Sequence, residues 1–218
     1  MRTISSHVSD VIEQTPLLAE VLSEGIGNAS AIARLIKKQV EKRAFEEVSE
    51  HAIAMALHRM PKRKRATQFG FRYLRRITDV TLRSNLTLVF VHNVPNEKKI
   101  FSRVGAFEEK HPGSIFGVTK GLVETLLVAY HTAAPGLKKL FGHAVARMQS
   151  HVSSVTMRLP SESMPIPGVY YPILKALAWE GINVVELVSA GTELTVFVED
   201  NNAERALKII RDFTRADS

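Results

Sequence analysis

Ser154-Val-Thr-Met-Arg-Leu159, Pro167-Gly168-Val169, Gly181-Ile-Asn183-Val-Val-Glu186 and Gly191-Thr-Glu-Leu-Thr-Val-Phe-Val198 follow one another in the last third of the chain. In that order they read as strand, helix, strand, tight turn, strand, and a further helix closes the series. Val155, Met157 and Leu159 alternate with polar residues, the period of a half-buried strand. Val169, Ile173, Leu174, Leu177 and Ala178 recur at helical spacing over 168–180 and stop at Gly181, a natural C-terminal cap. Residues 183–188 and 194–198 form two β-rich runs joined across Ser189-Ala-Gly-Thr192. Asn201 or Asn202 caps a last helix, with Ala203, Ala206, Leu207, Ile210 and Phe213 as its apolar face.

A second copy of this order lies upstream. Residues 86–91 read as a strand, 97–110 as a helix, 114–118 and 124–130 as a hairpin across Lys120-Gly121, and 134–148 as a helix. A shift of roughly seventy residues lays Gly121 on Gly191, Val128 on Val198 and Leu137-Lys138 on Leu207-Lys208. Neither copy shows a final strand. Residues 78–83, a spare alternating segment, are expected to complete a sheet out of sequence order, without indicating which one.

The element order and the Pro167-Gly168-Val169 and Gly181-Ile182-Asn183-Val184 junctions resemble the ACT domain, the ferredoxin-like module that binds amino acids in aspartokinases and other regulated enzymes. The resemblance covers about sixty residues of the tail, and the repeat extends it to a tandem pair as in aspartokinase regulatory regions. It implies an amino-acid effector held at the first loop of a unit near a homodimer interface. Pro167, Gly168, Val169, Asn183 and Val184 are the residues that match. Gly168 would let the backbone approach the ligand, and the Gly168 and Val169 amides at a helix start could hold a carboxylate. Asn183 could meet the ammonium. Gly168 as helix-start punctuation and Asn183 as a plain turn residue are the alternatives. The first copy has Asn93-Val-Pro-Asn96 in place of the Pro-Gly-Val opening, so the pocket is expected in the second.

The first sixty residues read as helices: Val11, Ile12, Leu17, Leu18, Val21 and Leu22 at helical spacing, then 29–36 with Ile32, Leu35 and Ile36 inward, then 50–60 capped by Ser49. Residues 1–85 carry 15 Lys+Arg against 9 Asp+Glu, whereas 86–218 carry 14 against 13. The excess concentrates in Pro61-Lys-Arg-Lys-Arg65 and Arg72-Tyr-Leu-Arg-Arg76, a pattern that suits a polyanion or simply a solvated linker. Read as a helix-turn-helix module, this part places His51, His58 and Arg59 towards DNA, with Lys62, Arg63, Lys64, Arg65, Arg72, Arg75 and Arg76 on phosphates. Read otherwise, it is a dimerisation or packing domain.

The sequence thus predicts an α+β chain: an all-α helical module over 1–60, a basic linker over 61–76, and two ferredoxin-like βαββαβ (ACT-like) units over 77–150 and 151–218. With no cysteine, disulfides and thiolate chemistry are excluded. There is no HExxH, no GxxxxGK[ST] and no GxGxxG. No catalytic residue, metal site or cofactor is expected, so the chain reads as a non-enzyme, and not as a kinase. No run reaches membrane-span length and no signal-peptide pattern opens the chain, so a cytoplasmic location is expected. Two functions follow: an amino-acid-sensing regulator with DNA as a further partner, or a regulatory subunit or scaffold that binds another protein through its ACT-like units.

Overall fold

A computed structural model describes residues 2–60, 73–93 and 98–215. The chain divides into two compact units, Met1–Arg65 and Ala66–Ser218. The basic run from Pro61 to Arg72 lies outside the described residues.

The first unit is helical: α1 (Ile4–Glu13), α2 (Pro16–Ser23), α3 (Ala29–Ala44) and α4 (Glu50–Arg59). Asn28 caps α3 by accepting from the Ser30 and Ala31 amides at 3.0 and 3.1 Å, and Ser49 caps α4 by accepting from Ala52 at 3.2 Å. Val8, Val11, Ile12, Ile32, Ala33, Ile36, Val40 and Ile53 form one core. Two expectations fail here. Leu17 and Leu35 point outward, 58% and 66% exposed, although their spacing suited an apolar face. The third helix also runs eight residues beyond Ile36, because Val40 continues its buried stripe to a left-handed cap at Phe45 (φ 56°).

The second unit is a six-stranded antiparallel sheet, ordered β2-β3-β1-β4-β6-β5, with helices on one face. In chain order its elements are β1 (Asp79–His92), α5 (Lys98–Lys110), β2 (Ile115–Lys120), β3 (Glu124–Tyr130), α6 (Ala134–Phe141), β4 (Val145–Arg158), α7 (Tyr171–Trp179), β5 (Glu186–Ala190), β6 (Glu193–Glu199) and α8 (Ala203–Arg215). The expected helix over 134–148 is corrected. It stops at Gly142, whose φ of 52° breaks the helix, and Val145 and Met148 belong to β4. Likewise α7 starts at Tyr171 rather than Gly168, and β5 at Glu186 rather than Asn183.

The missing strands come from β1 and β4, two long strands that run through both ferredoxin-like sheets. The second half of β1 pairs with β3, Leu86 opposite Tyr130 through His92 opposite Glu124, and opens the first ferredoxin-like sheet. Its first half pairs with the end of β4, Asp79 opposite Arg158 through Arg83 opposite Ser154, and closes the second sheet. In turn β4 closes the first sheet with residues 145–149 and opens the second with residues 152–158, paired to β6. The spare segment 78–83 is therefore the fourth strand of the second fold, whereas the first fold finds all four of its strands within residues 86–149.

A bulge makes the exchange possible. Asn85 (φ 62°) and His151 (φ 58°) sit at equivalent points of the two fourteen-residue strands, beside the Leu86–Val152 pair. A bulge residue turns the following side chains over. Leu82 thus packs on the helix side with Val155, Met157 and Leu194, while Leu86, four residues on, faces away with Leu88, Phe90, Leu126, Val128, Val152 and Phe197. Val89, Val91 and Leu127 return to the helix side, under Ile100, Leu137 and Phe141. Two buried hydroxyls repeat the same device. Thr87 lies 3.1 Å from His131 Nδ1, and Ser153 donates to Asp200 at 2.5 Å, each tying an inner strand to the turn after the third strand of its unit.

Candidate effector site

Four residues of the second unit carry the logic of the site. Leu74 and Ile77 are buried in the core under α7 and α8, and the two arginines between them, Arg75 and Arg76, are exposed. Across from them, β4 alternates: Met157 and Leu159 point into the core and Arg158 points out. The Leu159 amide donates to Thr192 O at 2.8 Å, which brings the β5–β6 turn alongside. Beyond Pro160 a short turn is fixed by Ser163, fully buried, whose hydroxyl donates to Pro160 O at 2.7 Å.

These pieces enclose a cleft of about 600 Å³ lined by Arg75, Arg76, Arg158, Thr78, Ser161, Glu162 and Thr192. Arg76 donates to Glu162 Oε1 at 3.1 Å. Glu162 is held below the ordinary glutamate range, first by a hydrogen bond from its own backbone amide and then by Arg76. Arg158 makes no ion pair among the described residues, although Asp79 stands opposite it in register. The cleft therefore presents positive charge and hydroxyls, the donor set that receives carboxylates. Among the described residues no group of three or more His, Asp or Glu is placed to hold a metal ion.

The five residues expected to bind ligand lie elsewhere on the second unit. Pro167 and Gly168 (φ 75°) are exposed in the turn before α7, and Val169 is buried. The Gly168 and Val169 amides do not open a helix, since α7 begins with Tyr171, whose own amide donates to Gly168 O. Gly181 (φ 68°) ends α7 in a paired cap, with Gly181 N to Ala178 O at 3.0 Å and Ile182 N to Leu177 O at 2.9 Å. This cap leaves Asn183 exposed and Val184 half-buried against the core. None of the five lines the arginine cleft. Arg158, Thr78 and Thr192 escaped the sequence reading because 76 and 158 meet only through the exchanged strand.

The ten residues assigned to nucleic acid separate into three groups. His51, His58 and Arg59 are exposed on α4; Lys62, Arg63, Lys64, Arg65 and Arg72 fall outside the described residues; Arg75 and Arg76 belong to the cleft. Exposed Glu46, Glu47 and Glu50 precede α4 or open it. A more continuous cationic face lies on α3, where Arg34, Lys38 and Lys42 are exposed at four-residue spacing. That spacing was legible in the sequence.

The sequence matches no protein-family model and no curated protein. Solved structures do match. The regulatory subunit of aspartate kinase from Thermus thermophilus, in its ligand-free form, aligns with a TM-score of 0.51 at 14% identity, over 62% of this chain and 97% of that one. Aspartate kinase from Clostridium acetobutylicum gives 0.54 at 16% identity. E. coli aspartokinase III, crystallised with lysine and aspartate, gives 0.51 at 16%. The fold is ACT-like. This chain spans nearly the whole of the regulatory subunit but only 35% and 33% of the two kinases. No helix among the described residues is long and apolar enough to cross a membrane.

Proposed function

We propose that the chain is a non-catalytic, amino-acid-responsive regulator of the cytoplasm, a homodimer through its ACT-like units. The observation that carries this reading is the arginine cleft, built where the first strand of the second unit runs into its first loop. Three guanidiniums beside Thr78, Ser161 and Thr192 favour an effector rich in carboxylate. The E. coli kinase of the same fold was crystallised with amino acids, which supports the ligand class. The exposed Gly168 and Asn183 form a second contact, at the dimer interface, together with Pro167, Val169 and Val184.

Thermal denaturation against the twenty amino acids tests this. Ligand at a hundred times its Kd stabilises by about 2.7 kcal/mol, and Arg158→Gln should abolish the shift given by an acidic amino acid. Gly168→Glu separates the second contact, since it should weaken the same response. A uniformly flat screen would refute the sensor.

In the same reading the helical module contacts DNA through α3, and His51, His58, Arg59 and the basic residues Lys62, Arg63, Lys64, Arg65 and Arg72 add to the charge that binds it. The α3 face supports this, because Arg34, Lys38 and Lys42 are exposed at four-residue spacing and Glu41, the acid beside them, is paired with Lys37. A second reading, docking on another protein, is favoured by Ile26, Leu35 and Phe45, which are 78%, 66% and 93% exposed. Replacing Lys62–Arg65 by glutamine discriminates: DNA affinity and its salt slope fall in the first case, and a partner interaction survives in the second.

A further inference from the structure

The helix layer of the second unit holds a cleft of different character. Ala176 and Trp179 of α7 and its C-cap residue Glu180 line a cleft of about 530 Å³ with Ile209, Asp212 and Phe213 of α8 and with Arg75. Both helical sets have the spacing i, i+3, i+4, so each is one stripe of its helix. Trp179 is 76% exposed, a large apolar surface left in water beside Ile209 and Phe213.

The charges around it are ordered. Glu180 is engaged by Arg205, which donates to its carbonyl at 2.8 Å and lies 3.4 Å from its carboxylate. The Asp212 side chain has no hydrogen bond or ion pair among the described residues. The C-terminal end of α7 at Trp179 adds partial negative charge on the same side. An apolar wall thus stands between a guanidinium and a carboxylate.

We propose that this cleft binds a free α-amino acid with a large apolar side chain. The side chain lies on Trp179, Phe213 and Ile209, the ammonium meets Asp212, and the carboxylate meets Arg75. The inference rests on the amino-acid-sensing reading and adds a site separate from the arginine cleft, with an apolar rather than acidic preference. Arg75 borders both clefts, so Asp212 and Arg158 are the residues that separate them.

Trp179 is the only tryptophan in the chain, so its fluorescence reports on this cleft alone. The purified full chain is titrated with L-phenylalanine and L-leucine, and in parallel with phenethylamine and hydrocinnamate, which each lack one charge. The expected result is a saturable emission change with both amino acids, weakened about tenfold or more in Asp212→Asn and in Arg75→Gln, and a much weaker one with either analogue. Trp179→Phe should keep its melting temperature while losing most of the stabilisation by L-phenylalanine. If the analogues bind as tightly as the amino acids, the charge recognition is overturned. Stabilisation by L-phenylalanine or L-leucine that leaves Trp179 emission unchanged and survives Asp212→Asn overturns this site and leaves the sensor standing. If no amino acid alters either stability or emission, both fail.

Discussion

His151 occupies a left-handed backbone position at the point where β4 passes from one sheet to the other, and its replacement tests whether the bulge holds the exchange together. Left-handed backbone costs an L-residue about 1–2 kcal/mol, and a β-branched side chain tolerates it least. Glycine escapes that cost but gives back about 0.5–1 kcal/mol of chain entropy, so His151→Gly should lie near the parent in stability. His151→Val should lie about 2 kcal/mol below the glycine variant. Both variants lose the stacking of the ring on His131, whose centroid is 5.9 Å away, so their difference isolates the backbone. For a unit of this size that difference is about 4–8 °C in melting temperature, well within calorimetric reach. Equal melting temperatures for the two variants would refute the assignment of the bulge as the hinge of the exchange.

Leu137 and Leu177, one under each half of the sheet, are fully buried, and truncation of either to alanine should cost about 2–5 kcal/mol. Because the halves exchange strands, each variant should still melt the second unit in one calorimetric transition; two separated peaks would contradict the shared architecture. Ser49→Ala should cost the helical unit about 1 kcal/mol through the lost cap of α4, read as a lower denaturation midpoint in urea. The Glu162 carboxyl should titrate below the ordinary glutamate value of 4.5, measured by carbon-13 NMR. Its folded pKa is depressed, so its contribution is present above the unfolded value and is lost as pH falls through the folded one. Arg76→Gln should raise that midpoint only in part, because the larger cause is the backbone hydrogen bond. Glutamine at Arg34, Lys38 and Lys42 together should lower the salt slope of duplex-DNA binding by about 0.9 per phosphate contact removed; an unchanged slope would remove α3 from the interface.

The sequence carried the repeat, both hairpins and the helical character of the first sixty residues, because apolar periodicity and turn residues are local signals. It carried the existence of the spare segment 78–83 but not its destination. Pairing between Val80 and Met157 depends on residues far apart in the chain, and periodicity does not encode partners. The lost strand over 145–149 was hidden because Val145 and Met148 fit the helical spacing of Leu137 and Phe141 as well as they fit a strand. Only Gly142 marked the break. The arginine cleft was half legible. Arg75 and Arg76 stood out as charge, but their anchoring by Leu74 and Ile77, and their meeting with Arg158, follow from the exchanged strand. The charge was therefore assigned to a polyanion or a solvated linker, although two of its members face a small cleft.

The exchange also sets a timetable for synthesis. Residues 79–83 leave the ribosome as an unpaired strand, and their partners at 154–158 follow roughly seventy to eighty residues later. At about 5–20 residues per second that interval is on the order of 4–16 seconds. During it Val80 and Leu82 have no sheet to join, and the first ferredoxin-like half lacks its closing strand until β4 emerges. The first half can close once residues 145–149 emerge, but 79–83 must still wait for 154–158, so the nascent chain passes through a window in which its apolar edge is open to chaperones and to neighbouring chains.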